Sequence, residues 1–204
     1  MCSNISGSVG SVAKGFFIQY KFILPESIKH SSYTYQKLFR ALYGYTQNVT
    51  KSNGKTYSYH RKGVLSSHPH IRPGKNCVII PTNAFNNLTT FFKTGKNPTH
   101  FWKMKGDWKA VFYMDEKKVS DKEAIDALER NLDGTFIENK NEEQSSILGE
   151  LSLLLSNKKE SKNLDQAYLN LVVNEAEKVC QNEWFKEFYA KSPKLTDFHR
   201  KLKE

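Results

Sequence analysis

The sequence predicts an α+β protein, with a ferredoxin-like βαββαβ domain over residues 15–115 followed by a helical region over 116–204. Three observations lead there. Short aromatic and β-branched runs alternate with segments whose apolar residues recur at helical spacing, in the order strand, helix, strand, strand, helix, strand. Composition turns to Glu, Lys, Asn and Leu after about Tyr113. Charge divides at the same place: residues 1–113 carry 16 Lys/Arg against two acids, Glu26 and Asp107, a balance of +14, whereas residues 114–204 carry 15 Lys/Arg against 19 Asp/Glu, a balance of −4.

Each element has a local reason. Phe16 to Leu24 is aromatic and β-branched and stops at Pro25, which reads as a strand. Ser31 or Ser32 can cap the helix that follows, with Tyr35, Leu38, Phe39 and Leu42 at i, i+3, i+4 and i+7 and Gly44 at its end. Asn53-Gly54 is a turn dipeptide, and Tyr57 and Tyr59 alternate beyond it, so a hairpin is expected. Pro73-Gly74 fits the central positions of a type II turn. Asn76 to Ile80 is a short buried strand ended by Pro81, after which Thr82 is placed to cap a helix bearing Phe85, Leu88, Thr89 and Phe92 before Gly95. Residues 99–115 alternate on either side of Gly106-Asp107, as a hairpin or one bent strand. The ferredoxin-like arrangement would leave one face of the sheet open.

In the second half Ser120 can cap a helix through Arg130, and residues near 131–145 read as a polar linker with a turn at Asp133-Gly134. Ser146 to Ser156 is a leucine-dense helix, and Leu164 to Lys191 one longer amphipathic helix stopped by Pro193. A short basic end follows. This region is expected to pack on the first domain, on a protein partner or on a second copy.

Composition sets the class. With 38% apolar and 13% aromatic residues the chain can fill a core without disulfides, and Cys2, Cys77 and Cys180 match no paired metal-ligand spacing. Three thiols leave an odd one in any pairing, which points to a reducing, cytoplasmic setting. Residues 1–14 are Ser/Gly-rich and predict a disordered arm; the run from Phe16 is broken by Gln19 and Lys21, too short and polar to span a membrane.

The expected partner is nucleic acid, since a span so poor in carboxylates repels itself until phosphates relieve it, with RNA ahead of DNA because an open ferredoxin-like sheet bearing aromatics suits splayed bases. Tyr57, Tyr59, Trp102 and Trp108 are candidate platforms for stacked bases. Arg61, Lys62, Arg72, Lys75, Lys103, Lys105 and Lys109 are candidate phosphate contacts, with Lys103, Lys105 and Lys109 brought to one sheet face by alternation. A second reading is a small nuclease in which His60, His68 and His70 supply the acid and base, with Tyr59 beside them and Lys or Arg stabilising the transition state. His68-Pro69-His70 also has a spacing used by tyrosine endonucleases that hold a divalent ion, but Pro69 cannot donate in a ladder and no carboxylate lies nearby, so no metal and no cofactor is assigned. A third reading is a structural subunit of a ribonucleoprotein or DNA-processing complex. Phosphate loops, dinucleotide fingerprints, nucleophile elbows and Cys-x-x-Cys pairs are all absent from the sequence.

Overall fold

A computed structural model describes residues 13–29, 31–52, 54–97, 102–138, 144–159 and 165–204, with only the backbone of Trp102, Lys158 and Lys159. The first twelve residues of the expected arm, and Asn53 of the expected turn, lie outside the described residues. The chain is mixed α and β, built on a four-stranded antiparallel sheet. Its central strand is β1 (Ala13–Ile23), which pairs with β5 (Cys77–Ile80) on one side and β8 (Lys109–Val119) on the other, and β4 (Ile71–Gly74) closes the edge beyond β5.

Between these strands the chain forms α1 (Tyr33–Tyr43), the ribbon β2 (Tyr45–Thr50) and β3 (Thr56–Arg61), α2 (Phe85–Thr94), and the short pair β6 (Lys96–Asn97) and β7 (Trp102–Lys103). Beyond β8 come α3 (Asp121–Asp133), β9 (Phe136–Glu138), β10 (Gln144–Ser146), α4 (Ile147–Lys159), α5 (Gln166–Cys180), α6 (Glu183–Phe188) and α7 (Pro193–Lys203).

The period of two along β1 divides its side chains between two cores. Ile18, Tyr20 and Phe22 are buried with Leu38 and Leu42 of α1 and Leu88, Phe91 and Phe92 of α2. On the other face Ala13 and Phe17 join Ile79, Val119 and the C-terminal helices, whose Trp184, Phe185, Phe188, Leu195 and Phe198 are nearly inaccessible. That face was expected open, but only its far half is: Gln19, Lys21 and Ile23 lie opposite Tyr113, Val111 and Lys109, and all six are exposed. The C-terminal helices cover the rest because they carry more apolar surface than they can bury among themselves.

Local signals largely hold. Ser32 accepts from the Tyr35 N–H at the start of α1 and Gly44 ends it at φ 77°. Ser120 forms a full capping box with Glu123, and α3 then continues to Asp133 rather than Arg130. Gly95 closes α2 in the left-handed region.

Several expectations are corrected. Thr82 does not cap α2: it opens a 3-10 turn, and its hydroxyl donates to the Glu183 carboxylate instead. The type II turn at Pro73-Gly74 is not formed, since Gly74 pairs with Cys77 and the left-handed residue is Asn76 at φ 58°; Pro73 sits in edge strand β4, where its missing N–H is harmless. Lys103 ends β7 while β8 begins only at Lys109, because Gly106 at φ 123° breaks the alternation between them. Leu164–Lys191 is divided where Asn182 caps a new helix by accepting from the Trp184 N–H, and Pro193 begins α7 rather than stopping a helix. The stretch near 131–145 holds β9 and β10, paired through Ser145 and Ile137.

Candidate nucleic-acid interface

The ribbon leaves α1 through Gly44, whose neighbourhood admits no side chain. A Cβ there would lie 2.6 Å from the Arg61 carbonyl oxygen and 2.7 Å from Ser66 Oγ. Gly63 closes against the same turn, where a Cβ would meet Gly44 N at 2.2 Å. These two glycines let the chain entering and leaving the ribbon close against the end of α1, where the Val64 and Leu65 N–H groups donate to the Ala41 and Leu42 carbonyl oxygens.

Register then sorts the ribbon's side chains. Tyr45, Gln47 and Val49 lie opposite Arg61, Tyr59 and Tyr57 and share one face. Thr46, Asn48 and Thr50 lie opposite His60, Ser58 and Thr56 on the other, where they bond across the strands: Thr46 to His60 at 3.1 Å, Ser58 to Asn48 at 2.7 Å and Thr50 to Thr56 at 3.0 Å. This second face leans on the β9–β10 pair. The His60 ring stacks on Phe136 with centroids 3.7 Å apart and planes 6° apart, and its backbone N–H donates to Gln144 Oε1.

The first face is aromatic and cationic. The Arg40 guanidinium lies 5.0 Å from the Tyr45 ring centroid and 5.7 Å from that of Tyr33, while Lys37 Nζ is 5.2 Å from Tyr33. Arg61 sits 5.6 Å over Tyr59, and Lys51 4.7 Å over Tyr57. Tyr33, Lys37, Arg40, Tyr45, Arg61 and Lys62 line a shallow cleft of about 260 Å³ that no carboxylate enters among the described residues. Tyr33 is 61% exposed and Tyr45 40%, so their rings are partly free to receive a flat partner. Lys62 is partly neutralised, since it bonds Glu175 of α5 at 3.5 Å. Most other carboxylates of the C-terminal helices with a described ion pair are held by cations of their own region: Asp121 by Lys191, Asp126 by Lys122, Asp133 by Lys194 and Asp197 by Arg200.

The residues singled out by sequence fall in several places. Tyr57, Tyr59 and Arg61 are on the ribbon face, with Lys62 at its edge. Trp108 is half-buried, its ring 5.9 Å from Phe22 and 5.4 Å from Phe91, so core packing takes its faces. The Trp102 side chain lies outside the described residues. Lys105 is exposed in the loop after β7, and Lys109 shares the open half of the sheet with Lys21 and Tyr113. Lys75 stands in the β4–β5 turn beside that surface. Arg72 lies elsewhere, its guanidinium 4.2 Å over the Tyr43 ring.

The three histidines do not form one cluster: His60 stands apart, and His68 and His70 touch through a backbone carbonyl. His60 is stacked on Phe136, His68 Nε2 is 2.9 Å from Asn87 Nδ2 of α2, and His70 Nδ1 donates to the His68 carbonyl oxygen at 3.0 Å. Burial lowers the pKa of both His60 and His70 below the usual imidazole value; at His70 the positive charges of Arg72 and Arg130 add to the effect. No cluster of three or more potential metal ligands occurs among the described residues, and no helix among them is long and apolar enough to cross a membrane.

Sequence reading missed Tyr33, Lys37, Arg40 and Tyr45. The signal was present, since positions 33, 37 and 40 are i, i+4 and i+7 on the outer side of α1, the stripe opposite Leu38 and Leu42. The chain matches no family model, no curated protein and no solved structure.

Proposed function

We propose that this protein binds single-stranded nucleic acid, RNA ahead of DNA, along the face made by α1 and the β2–β3 ribbon. The observation that carries the reading is the alternation of cation and ring across that face: Lys37, Tyr33, Arg40 and Tyr45, then Arg61 and Tyr59, with Lys51 and Tyr57 at the far end. A single strand needs both parts at once, charges spaced along its phosphates and flat surfaces for its bases. Cation–π pairs alone stabilise a surface by only about 0.5–1 kcal/mol each. Four tyrosines and four cations gathered on one side, without a described carboxylate in the cleft that Tyr33, Lys37, Arg40, Tyr45 and Arg61 line, exceed what that modest gain requires.

The order β4-β5-β1-β8, with antiparallel neighbours and α1 and α2 buried on one face, supports reading the N-terminal part as a ferredoxin-like split βαβ unit. Lys21, Lys75, Lys109 and Tyr113 on the open half of its sheet would extend the track. A nuclease needs acid and base converging on one phosphate; His60 stacked on Phe136 away from the other two, and the His68 and His70 ring nitrogens already engaged by Asn87 and the His68 carbonyl, favour binding over cleavage.

The test is a titration of labelled oligouridylate RNA, matching single-stranded DNA and a duplex with the intact chain at several salt concentrations, followed by gel analysis for cut products. Binding of the single strands with a steep negative salt slope is expected. Arg40→Glu with Arg61→Glu should flatten that slope by about one unit for each phosphate no longer neutralised. A slope near zero, or charge reversal that leaves affinity unchanged, would sink the proposal.

A further inference from the structure

A second basic site lies away from the ribbon, where β4 and the loop before it meet the end of α3. The cavity there is about 500 Å³, within the range of small-molecule pockets, and is lined by Arg72 and Arg130 together with Tyr43, Ser66, Ile71 and Asn131. We infer that it binds a phosphate monoester borne on a body of mononucleotide size, between the guanidinium groups of Arg72 and Arg130. The inference does not rest on the ribbon reading, because neither the cavity nor these two cations belong to that face.

Charge and preorganisation carry it. Among the described residues no carboxylate lines the cavity, and neither arginine forms an ion pair with one. The C-terminal end of α3 opposes them with a partial charge of roughly −0.5, against two full positive charges, so the potential stays positive. A guanidinium fork matches the spacing of phosphate oxygens and holds its charge at any working pH.

Arg72 is held before any ligand arrives. Its guanidinium lies over Tyr43, and the Tyr43 hydroxyl is 2.9 Å from that of Tyr20. Burial raises the pKa of both phenols, so the pair stays neutral and adds no negative charge. A locked arginine loses less freedom on binding. The walls are fixed too: Asn131 Nδ2 donates to the Ser66 carbonyl at 2.9 Å, and Ser66 Oγ accepts from the Gly63 N–H at 2.8 Å. The Tyr43 ring, Ile71 and Ala127 supply an apolar side. An inorganic ion alone would leave that side and most of the volume unfilled.

The experiment is calorimetric titration of the full chain with a nucleoside 5′-monophosphate, the parent nucleoside, inorganic phosphate, and a tetranucleotide with or without a 5′-phosphate. The monophosphate should bind at least tenfold tighter than the nucleoside. Arg130→Ala, at an exposed position that leaves the core intact, and Arg72→Lys, which keeps charge but loses the fork, should each remove roughly ten- to a hundredfold of that affinity. A 5′-phosphate that strengthens the tetranucleotide by a similar factor would name a strand end as the source, whereas preference for the free nucleotide would name a small phosphorylated molecule. Equal binding of nucleoside and monophosphate, or Arg130→Ala without effect on either phosphorylated probe, overturns the site whatever the ribbon variants do. Loss of oligonucleotide binding in the ribbon variants, with mononucleotide binding intact, leaves the two sites independent, as inferred.

Discussion

The indole N–H of Trp184 donates to the carbonyl oxygen of Lys14 at 2.8 Å, across 170 positions of chain. The contact forms over Gly15, where a Cβ would meet the Ile80 carbonyl oxygen at 2.8 Å and the Trp184 ring at 3.0 Å. A small residue in β1 thus lets the largest side chain of α6 lie against the sheet, and the two cores on either side of β1 are tied through one strand.

Trp184→Ala should cost about 3–5 kcal/mol, the range for losing a buried large aromatic, and Gly15→Ala should also destabilise because backbone must move to admit the methyl group. Denaturant unfolding followed by fluorescence and by far-UV circular dichroism measures both. Since the cores share β1, the two probes should give one coincident transition; separate transitions would show that the helical region folds apart from the sheet.

On the ribbon face, Tyr45→Ala and Tyr33→Ala should each weaken single-strand affinity by about 1–3 kcal/mol if a base stacks there, with the salt slope unchanged. Trp108→Ala should lower the melting temperature instead, because its ring is packed on Phe22 and Phe91. Oligonucleotide titrations at two salt concentrations, paired with thermal melts, separate these effects.

Gly44 sets how the ribbon leaves α1. Gly44→Ala forces φ 77° on a residue with a Cβ and drives it onto the Arg61 carbonyl, so stability should fall by more than the roughly 1 kcal/mol of an unfavourable backbone region alone. Strand binding should weaken with it, since Arg40 on α1 and Tyr45 on β2 would no longer be held together. A stable variant with unchanged affinity would refute this coupling.

His70 should make stability depend on pH. Its folded value is lowered from 6.5 by burial and by Arg72 and Arg130, so in the window below 6.5 the unfolded chain binds more protons than the folded one. Stability is therefore complete above pH 6.5 and declines as pH falls through that window toward the folded value. His60 shifts the same way and adds to the slope. Unfolding free energies between pH 5 and 8 should flatten in His70→Gln, and the His70 proton resonances should titrate at higher pH in Arg130→Ala; an unmoved midpoint would contradict the assigned cause.

Local features were legible from the residues alone. Caps at Ser32 and Ser120, the stops at Gly44 and Gly95, the hairpin of β2 and β3 and the strands through Phe22 and Val78 follow from side-chain and backbone preferences spanning a few residues. The uneven charge, and with it the class of partner proposed, is also a property of composition. Packing in three dimensions chose which of those cations meet a ring, a carboxylate or a cavity: Lys62 meets Glu175 of α5 across 113 positions of chain, and Arg72 faces the cavity that Arg130 lines only because α3 packs beside β4. It also turned the three clustered histidines to different neighbours and buried half of a sheet face that alternation alone left open. These choices depend on contacts between residues tens of positions apart, where a long side chain's direction is set by what packs against it rather than by its neighbours in the chain.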